Sequence, residues 1–180
     1  RASRNLQRAQ SMVEATVMSI MKHPQSLWEM TSMASHDYYT YTHCVTVSMF
    51  LIGASQELLG VQAESGLRRI GLGGIFHDIG KSQIPAGILN KRDKLTAEEF
   101  ERIKEHPALG LELIAEQRSL SSVAAAIVRS HHERYDGSGY PDGVAAEGLR
   151  EVVRLSTIID VYAALATERC YAPARSPFAA

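Results

Sequence analysis

The sequence predicts an all-α fold. Apolar residues recur at three- and four-residue spacing along most of the chain, no long stretch alternates with period two, and capping and stop residues separate the periodic segments. Residues from about 4 to 22 carry Leu6, Val13, Val17, Ile20 and Met21 as a loose stripe, and 25 to 34 suit a short helix. From about 38 to 59 a longer helix is expected, with Asp37 as N-cap and Gly60 as stop. Its inner face runs His43, Val47, Phe50, Leu51, Ala54 and Leu58. The next helix, about 65 to 79, contains Gly71, Gly73 and Gly74 one turn before His77-Asp78, with Gly80 as its stop. Glycine inside a helix costs about 0.5–1 kcal/mol relative to alanine, so these glycines predict a close approach of another backbone.

Residues 81 to 95 read as a loop with Pro85, Gly87, Lys91, Arg92 and Lys94. Thr96 followed by Glu99 is a capping box that opens a helix. His106-Pro107 ends it and begins another helix, to about 117. A further helix, 121 to 132, ends in His131-His132, and the turn formers of Glu133 to Gly143 follow. The last helix, about 149 to 168, presents Val152, Val153, Ser156, Asp160, Ala163 and Ala164 inward.

The 180 residues suit one domain with a short appendage. A domain of this length buries roughly 70% of its unfolded surface and needs no disulfide staples. A net charge of −1 excludes the basic face that polymeric nucleic acid requires. Cys44 and Cys170 make neither a C-x-x-C pair nor a disulfide framework, which favours a reducing compartment. No apolar run approaches the ~18 residues of a membrane span, and no signal peptide is visible. The chain starts at Arg1 and stops shortly after Ser176-Pro177, so a fragment of a longer protein is expected.

Five of the seven histidines form an ordered series with two aspartates: His43, His77-Asp78, His106, His131-His132 and Asp160. Each has an ordinary explanation when taken singly. His77 could sit at a helix C-terminus for the sake of the dipole, and His43 could be a hydrogen-bonded core residue. His106 could be a loop residue, and His131-His132 an exposed helix end. Asp160 on an apolar face needs a cationic partner, because burying a bare carboxylate is costly. Together these residues read as a site for two metal ions. A carboxylate such as Asp78 can bridge two cations, and a mixed imidazole and carboxylate set suits Fe, Mn, Ni, Co or Zn better than Mg or Ca. Two ions about 3.5–4 Å apart can lower the pKa of a water between them and clamp a phosphodiester for in-line attack. Lys81 is placed to neutralise charge on phosphate oxygens, or is simply a solvated lysine beyond a helix end.

The strings His77-Asp78-Ile79-Gly80-Lys81, His106-Pro107 with Gly110, and His131-His132-Glu133-Arg134-Tyr135-Asp136-Gly137-Ser138-Gly139-Tyr140-Pro141, flanked by His43 and Asp160, resemble the HD-GYP domain. This is a branch of the HD metal-dependent phosphohydrolases, and the resemblance covers about residues 30 to 178. It implies an HD-domain helical bundle around a two-metal centre over 30–180, with 1–29 as an N-terminal helix or linker that could also serve a homodimer. It further implies a bacterial, cytoplasmic phosphodiesterase that hydrolyses cyclic di-GMP to pGpG or GMP with a metal-bridging hydroxide. In that scheme His43, His77, Asp78 and Asp160 bind one ion. Asp78 bridges to a second, held also by His106, His131 and His132. Fe or Mn would be the leading ions, with Ni, Co or Zn as alternatives. Lys81 corresponds to a lysine near the scissile phosphate, and Arg169 and Tyr140 fall on the substrate side. Gly139-Tyr140-Pro141 would meet protein partners, including GGDEF proteins.

Three positions depart from the family pattern. Tyr39 stands where some members carry a glutamate for a third metal, so two metals are expected. Ala163 replaces a second aspartate, and Ala172 replaces a basic residue. The last two motivate a rival reading, a cyclic-dinucleotide receptor of low turnover, and a hydrolase of a related cyclic dinucleotide is a third.

Overall fold

The computed structural model describes residues 38–91, 93–115 and 121–166. Among them are seven α-helices, two 3₁₀ turns and no strand. The helices are α1 (Tyr38–Leu58), α2 (Glu64–Phe76), α3 (Ala86–Leu89), α4 (Ala97–Lys104), α5 (His106–Ala115), α6 (Ser122–Ser130) and α7 (Glu151–Ala166), with the turns at Ile79–Gln83 and Ala146–Gly148. The fold is all-α, as the periodicity predicts. The helices expected over 4–22 and 25–34, the Asp37 cap, Ala172 and Arg169 lie outside the described residues.

Helix α1 packs against α2 and α7, α2 also against α6, and α5 against α6 and the first 3₁₀ turn. One apolar cluster, including Val47, Leu51, Ile70, Ile127 and Val153, joins α1, α2, α6 and α7. A second, Phe76, Ile79, Ile114 and Val128, seals α2 and its following turn against α5 and α6. The α2 glycines are the points of closest approach. A Cβ on Gly74 would stand 2.7 Å from the Ser48 Cα of α1, and one on Gly73 would stand 2.6 Å from Ile127 of α6. These contacts compensate the conformational cost of glycine in a helix.

Several local features follow the sequence closely. Thr96 accepts from the Glu99 amide while the Glu99 carboxylate accepts from the Thr96 amide, completing the capping box of α4. Gly60, with φ of +65°, ends α1 as expected, and the Leu59 and Val61 amides both return to the Ser55 carbonyl.

Other expectations are corrected. α2 stops at Phe76 rather than near 79, because Asp78 (φ −99°, ψ 4°) leaves helical geometry and the chain tightens into the 3₁₀ turn. Gly80 is therefore inside that turn instead of stopping α2. It lies flat against the backbone of His106 and Gly110, where a Cβ would collide. The stretch 81–95 is not a plain loop, since it contains most of that turn and α3. Phe50 and Leu58 are not on the buried face of α1; they are 44% and 72% exposed. The arc covered by α2 and α7 runs through Val47 and Leu51, and Phe50 sits at its rim, edge to face with Tyr162 at 5.7 Å.

Candidate metal centre

The seven residues expected as ligands come from five separate segments and meet in one place. His43 lies in α1, His77 at the end of α2, and Asp78 at the start of the first 3₁₀ turn. His106 opens α5, His131 and His132 follow α6, and Asp160 is on α7. All but His132 are buried, and the His132 side chain is 26% exposed. Two groups with ligand atoms within 4.8 Å of one another emerge: His43, His77 and Asp160, and Asp78, His106, His131 and His132.

Asp78 stands between the groups. Its Oδ2 is 3.3 Å from His77 Nε2 and its Oδ1 is 3.3 Å from His106 Nε2. Asp160 Oδ1 lies 2.8 Å from His43 Nε2 and 3.6 Å from His77 Nε2, while its Oδ2 reaches toward His132 Nδ1 at 3.9 Å.

The backbone orients three of the rings in the same way. His77 Nδ1 donates to the Gly74 carbonyl at 2.7 Å, His106 Nδ1 to Ile103 at 2.7 Å, and His131 Nδ1 to Val128 at 3.0 Å. A carbonyl can only accept, so each Nδ1 carries a proton and each ring turns its Nε2 toward the centre. His106 Nε2 and His131 Nε2 then face each other at 3.3 Å. Moreover, His77 Nε2 and Asp78 Oδ1 are buried with no hydrogen bond. Buried polar atoms are nearly always satisfied, and leaving one bare costs about 1–3 kcal/mol. Buried nitrogen and oxygen atoms left without partners among clustered histidines and aspartates are the arrangement a cation satisfies, so this donor set fits divalent transition metals.

The charge states agree with that fit. Burial, with the neighbouring histidines adding to it, pushes His132 down to about 2, and burial chiefly lowers His131 to about 4, so both rings are neutral ligands at pH 7. Burial alone would raise the Asp78 carboxyl, but Lys81 and three histidines outweigh it and hold it well below the usual carboxylate range. Asp160 is likewise held low, by His43 and His77 against the effect of burial. Lys81 Nζ is 2.7 Å from Asp78 Oδ2, and its side chain is 28% exposed, so it lines the edge of the centre. Burial would lower the ammonium's pKa, yet Asp78 raises it.

Tyr140 stacks on His132 with ring centroids 4.7 Å apart, and burial, with the Asp78 and Asp160 carboxylates adding to it, pushes its phenol well above the usual value. The loop that carries Tyr140 is held by a residue whose role sequence reasoning missed. Glu133 is 1% exposed, and its carboxylate accepts from the amides of Asp142 (2.7 Å), Gly143 (3.1 Å) and Val144 (3.0 Å). Arg129 also clamps the loop through two contacts to Asp142, at 2.9 and 2.7 Å. An acidic residue directly after two ligand histidines was the available signal, but its partners are glycine-rich backbone that no periodicity points to. Cys44 was missed as well: it forms a third close group with His77 and Asp78.

Comparisons with known proteins give the chain its family. A family model described as an HD domain matches residues 46–180. The cyclic di-GMP phosphodiesterase PA4108 of Pseudomonas aeruginosa is 36% identical over 163 residues, covering 91% of this chain and 39% of that protein. The cyclic di-GMP phosphodiesterase response regulator RpfG of Xanthomonas campestris is 42% identical over 120 residues, 66% of this chain and 32% of that protein. A 3'3'-cGAMP-specific phosphodiesterase (number 2) of Vibrio cholerae is 39% identical over 97 residues, 53% of this chain and 19% of that protein. The chain thus spans well under half the length of the curated relatives it matches. Among solved structures, the HDG"Y"P protein Bd1817 of Bdellovibrio bacteriovorus superposes with a TM-score of 0.59 at 24% identity. It covers 70% of this chain and 40% of that one, a likeness of fold. No helix among the described residues is long and apolar enough to cross a membrane.

Proposed function

Because the chain belongs to the HD domain family, in its HD-GYP branch, we propose that it is a metal-dependent phosphodiesterase that hydrolyses cyclic di-GMP to pGpG or GMP. The observation that carries this reading is the position of Asp78, one oxygen toward His77 and the other toward His106, between two groups of buried donors. In this reading His43, His77, Asp78 and Asp160 hold one divalent ion, and Asp78, His106, His131 and His132 hold a second. Bound there, such ions supply an acidified water and a clamp for the phosphodiester oxygens. Fe or Mn are the ions put forward, with Co, Ni and Zn accommodated by the same donors.

The chain's own residues do the rest. Backbone carbonyls of Gly74, Ile103 and Val128 fix three imidazoles in the ligand tautomer before any ion arrives. Lys81 keeps its charge beside Asp78 and, through its exposed edge, neutralises charge developing on the phosphate. Tyr140 remains a phenol at neutral pH, so it offers a hydrogen-bond donor and a ring face to the substrate while shielding His132. Arg169 is assigned to the same substrate side. The unit responsible is 30–180, working in the cytoplasm, with Gly139-Tyr140-Pro141 open to GGDEF-protein partners.

A second reading keeps the chemistry and changes the base: a hydrolase of a related cyclic dinucleotide, favoured by the 3'3'-cGAMP-specific relative. The receptor reading loses one of its motives. Ala163 is fully buried in the apolar cluster with Val47 and Leu51, where an aspartate would face hydrocarbon. Anaerobic incubation of the Mn- or Fe-loaded protein with cyclic di-GMP and, separately, 3'3'-cGAMP, with products resolved by chromatography, tests the proposal. Linear products from cyclic di-GMP uphold it, faster cleavage of 3'3'-cGAMP moves the substrate, and bound but uncleaved dinucleotide defeats the enzyme reading.

A further inference from the structure

Cys44 follows His43 in α1 and is 2% exposed. A buried cysteine is ordinarily a small apolar filler. Cys44, however, belongs to neither apolar cluster of the described residues. Its Sγ, one ligand atom of His77 and one of Asp78 all lie within 4.8 Å of one another.

A second observation at the same spot points to a ligand. His77 Nε2 is buried without a hydrogen bond, in a side chain 1% exposed. The His77 ring is turned so by its Nδ1 bond back to Gly74, which leaves Nε2 directed away from its own helix. A sulfur, an imidazole nitrogen and a carboxylate oxygen thus border one small volume.

We propose that Cys44 is a further metal ligand, its sulfur joining His77 and Asp78 around the ion on the α1 side of the centre. This rests on the metal-centre reading above and adds sulfur to a donor set otherwise made of nitrogen and oxygen. On coordination the thiol proton leaves to solvent and the sulfur binds as thiolate. Thiolate is a soft donor, so it biases this position toward Zn, Co or Fe and away from Mn, which prefers oxygen.

Cobalt(II) provides the test, because a thiolate bound to it gives an intense near-ultraviolet charge-transfer band, whereas nitrogen and oxygen ligands give only weak visible bands. The protein would be loaded with cobalt, its metal content measured by elemental analysis, and its spectrum compared with those of Cys44→Ser and Cys170→Ser. The expected result is cobalt bound in all three, the charge-transfer band present in the unaltered protein and in Cys170→Ser, and the band lost in Cys44→Ser while the visible bands persist. Bound cobalt without a charge-transfer band in the unaltered protein would overturn the role of Cys44 and leave the metal centre standing. Loss of the band in Cys170→Ser instead would overturn it equally. Failure to bind cobalt at all would remove the metal centre and Cys44 with it.

Discussion

Lys81 Nζ lies 2.7 Å from Asp78 Oδ2, while the other oxygen of the same carboxylate faces His106 Nε2 at 3.3 Å. One buried aspartate thus meets a fixed cation on one side and the Nε2 edge of an imidazole on the other. Against the effect of burial, Lys81 and the neighbouring histidines hold the Asp78 carboxyl well below the usual carboxylate range, so at neutral pH it is ready to bind metal without first losing a proton.

Asp78→Ala is therefore expected to abolish turnover and to lower metal content from about two ions per chain toward one or none. Elemental analysis of anaerobically prepared protein checks both states. Two ions retained in the variant would mean that Asp78 does not join the groups.

Lys81→Ala separates chemistry from binding. The metal content should be unchanged, because Lys81 is a donor only and cannot ligate while protonated. kcat/KM should fall by about 10²–10³-fold, the usual loss when one charge-stabilising group is removed. Loss of metal in this variant would instead assign Lys81 a part in building the site.

The loop after His132 has two clamps of unequal worth. Glu133 is buried and satisfies three amides, so Glu133→Ala strands those donors and is expected to cost about 3 kcal/mol or more. The Arg129–Asp142 pair is partly exposed, with side chains at 32% and 41%, and Asp142→Ala should cost less than about 1 kcal/mol. Urea unfolding of the two variants ranks them. Equal losses would contradict the difference in burial.

Two glycines should respond to alanine with opposite signs. Gly53 is exposed within α1 and has open space where a Cβ would go, so Gly53→Ala should stabilise by about 0.5–1 kcal/mol. Gly74→Ala drives a methyl into the backbone at Ser48, and the overpacking cost of about 1–3 kcal/mol exceeds the propensity gain. It should also reduce metal content, since the Gly74 carbonyl orients His77. Thermal melts and elemental analysis together read the pair.

The metal-free protein should be most stable near pH 6.5. In the unfolded chain a histidine titrates near 6.5, whereas folded His131 and His132 are pushed down to about 4 and about 2. Between pH 6.5 and about 4 the unfolded chain binds protons that these two folded residues refuse. Stability falls there with falling pH, by up to about 1.4 kcal/mol per pH unit for each. His77 acts in the other window. Burial, the largest influence, lowers it, but Asp78, Cys44 and Asp160 outweigh burial and raise it. Its contribution is present below 6.5 and is lost as pH rises through its folded value. Thermal melts of the chelated protein from pH 4.5 to 8 test this, and a Tm that climbs steadily on acidification would refute it.

Much of the protein is settled along the chain. Helical periodicity announces the α-class and most of the element order, the Thr96–Glu99 pair marks the start of α4, and the glycines before His77 foretell the approach of Ser48. The ordered histidines and aspartates identify every residue of the two donor groups, because metal-binding side chains are few and chemically distinct. Tertiary structure decided the remainder. Whether Phe50 and Leu58 are covered depends on the arc that α2 and α7 span, and the early end of α2 depends on the backbone packed at Gly80. The close group of Cys44 with His77 and Asp78, and the clasp of Glu133 on three loop amides, join residues with no periodic relation to one another. A helical pattern states which residues share a face of one element. It carries no information about which distant segment will lie against that face, and burial, ring orientation and unpaired donors are all set by that contact.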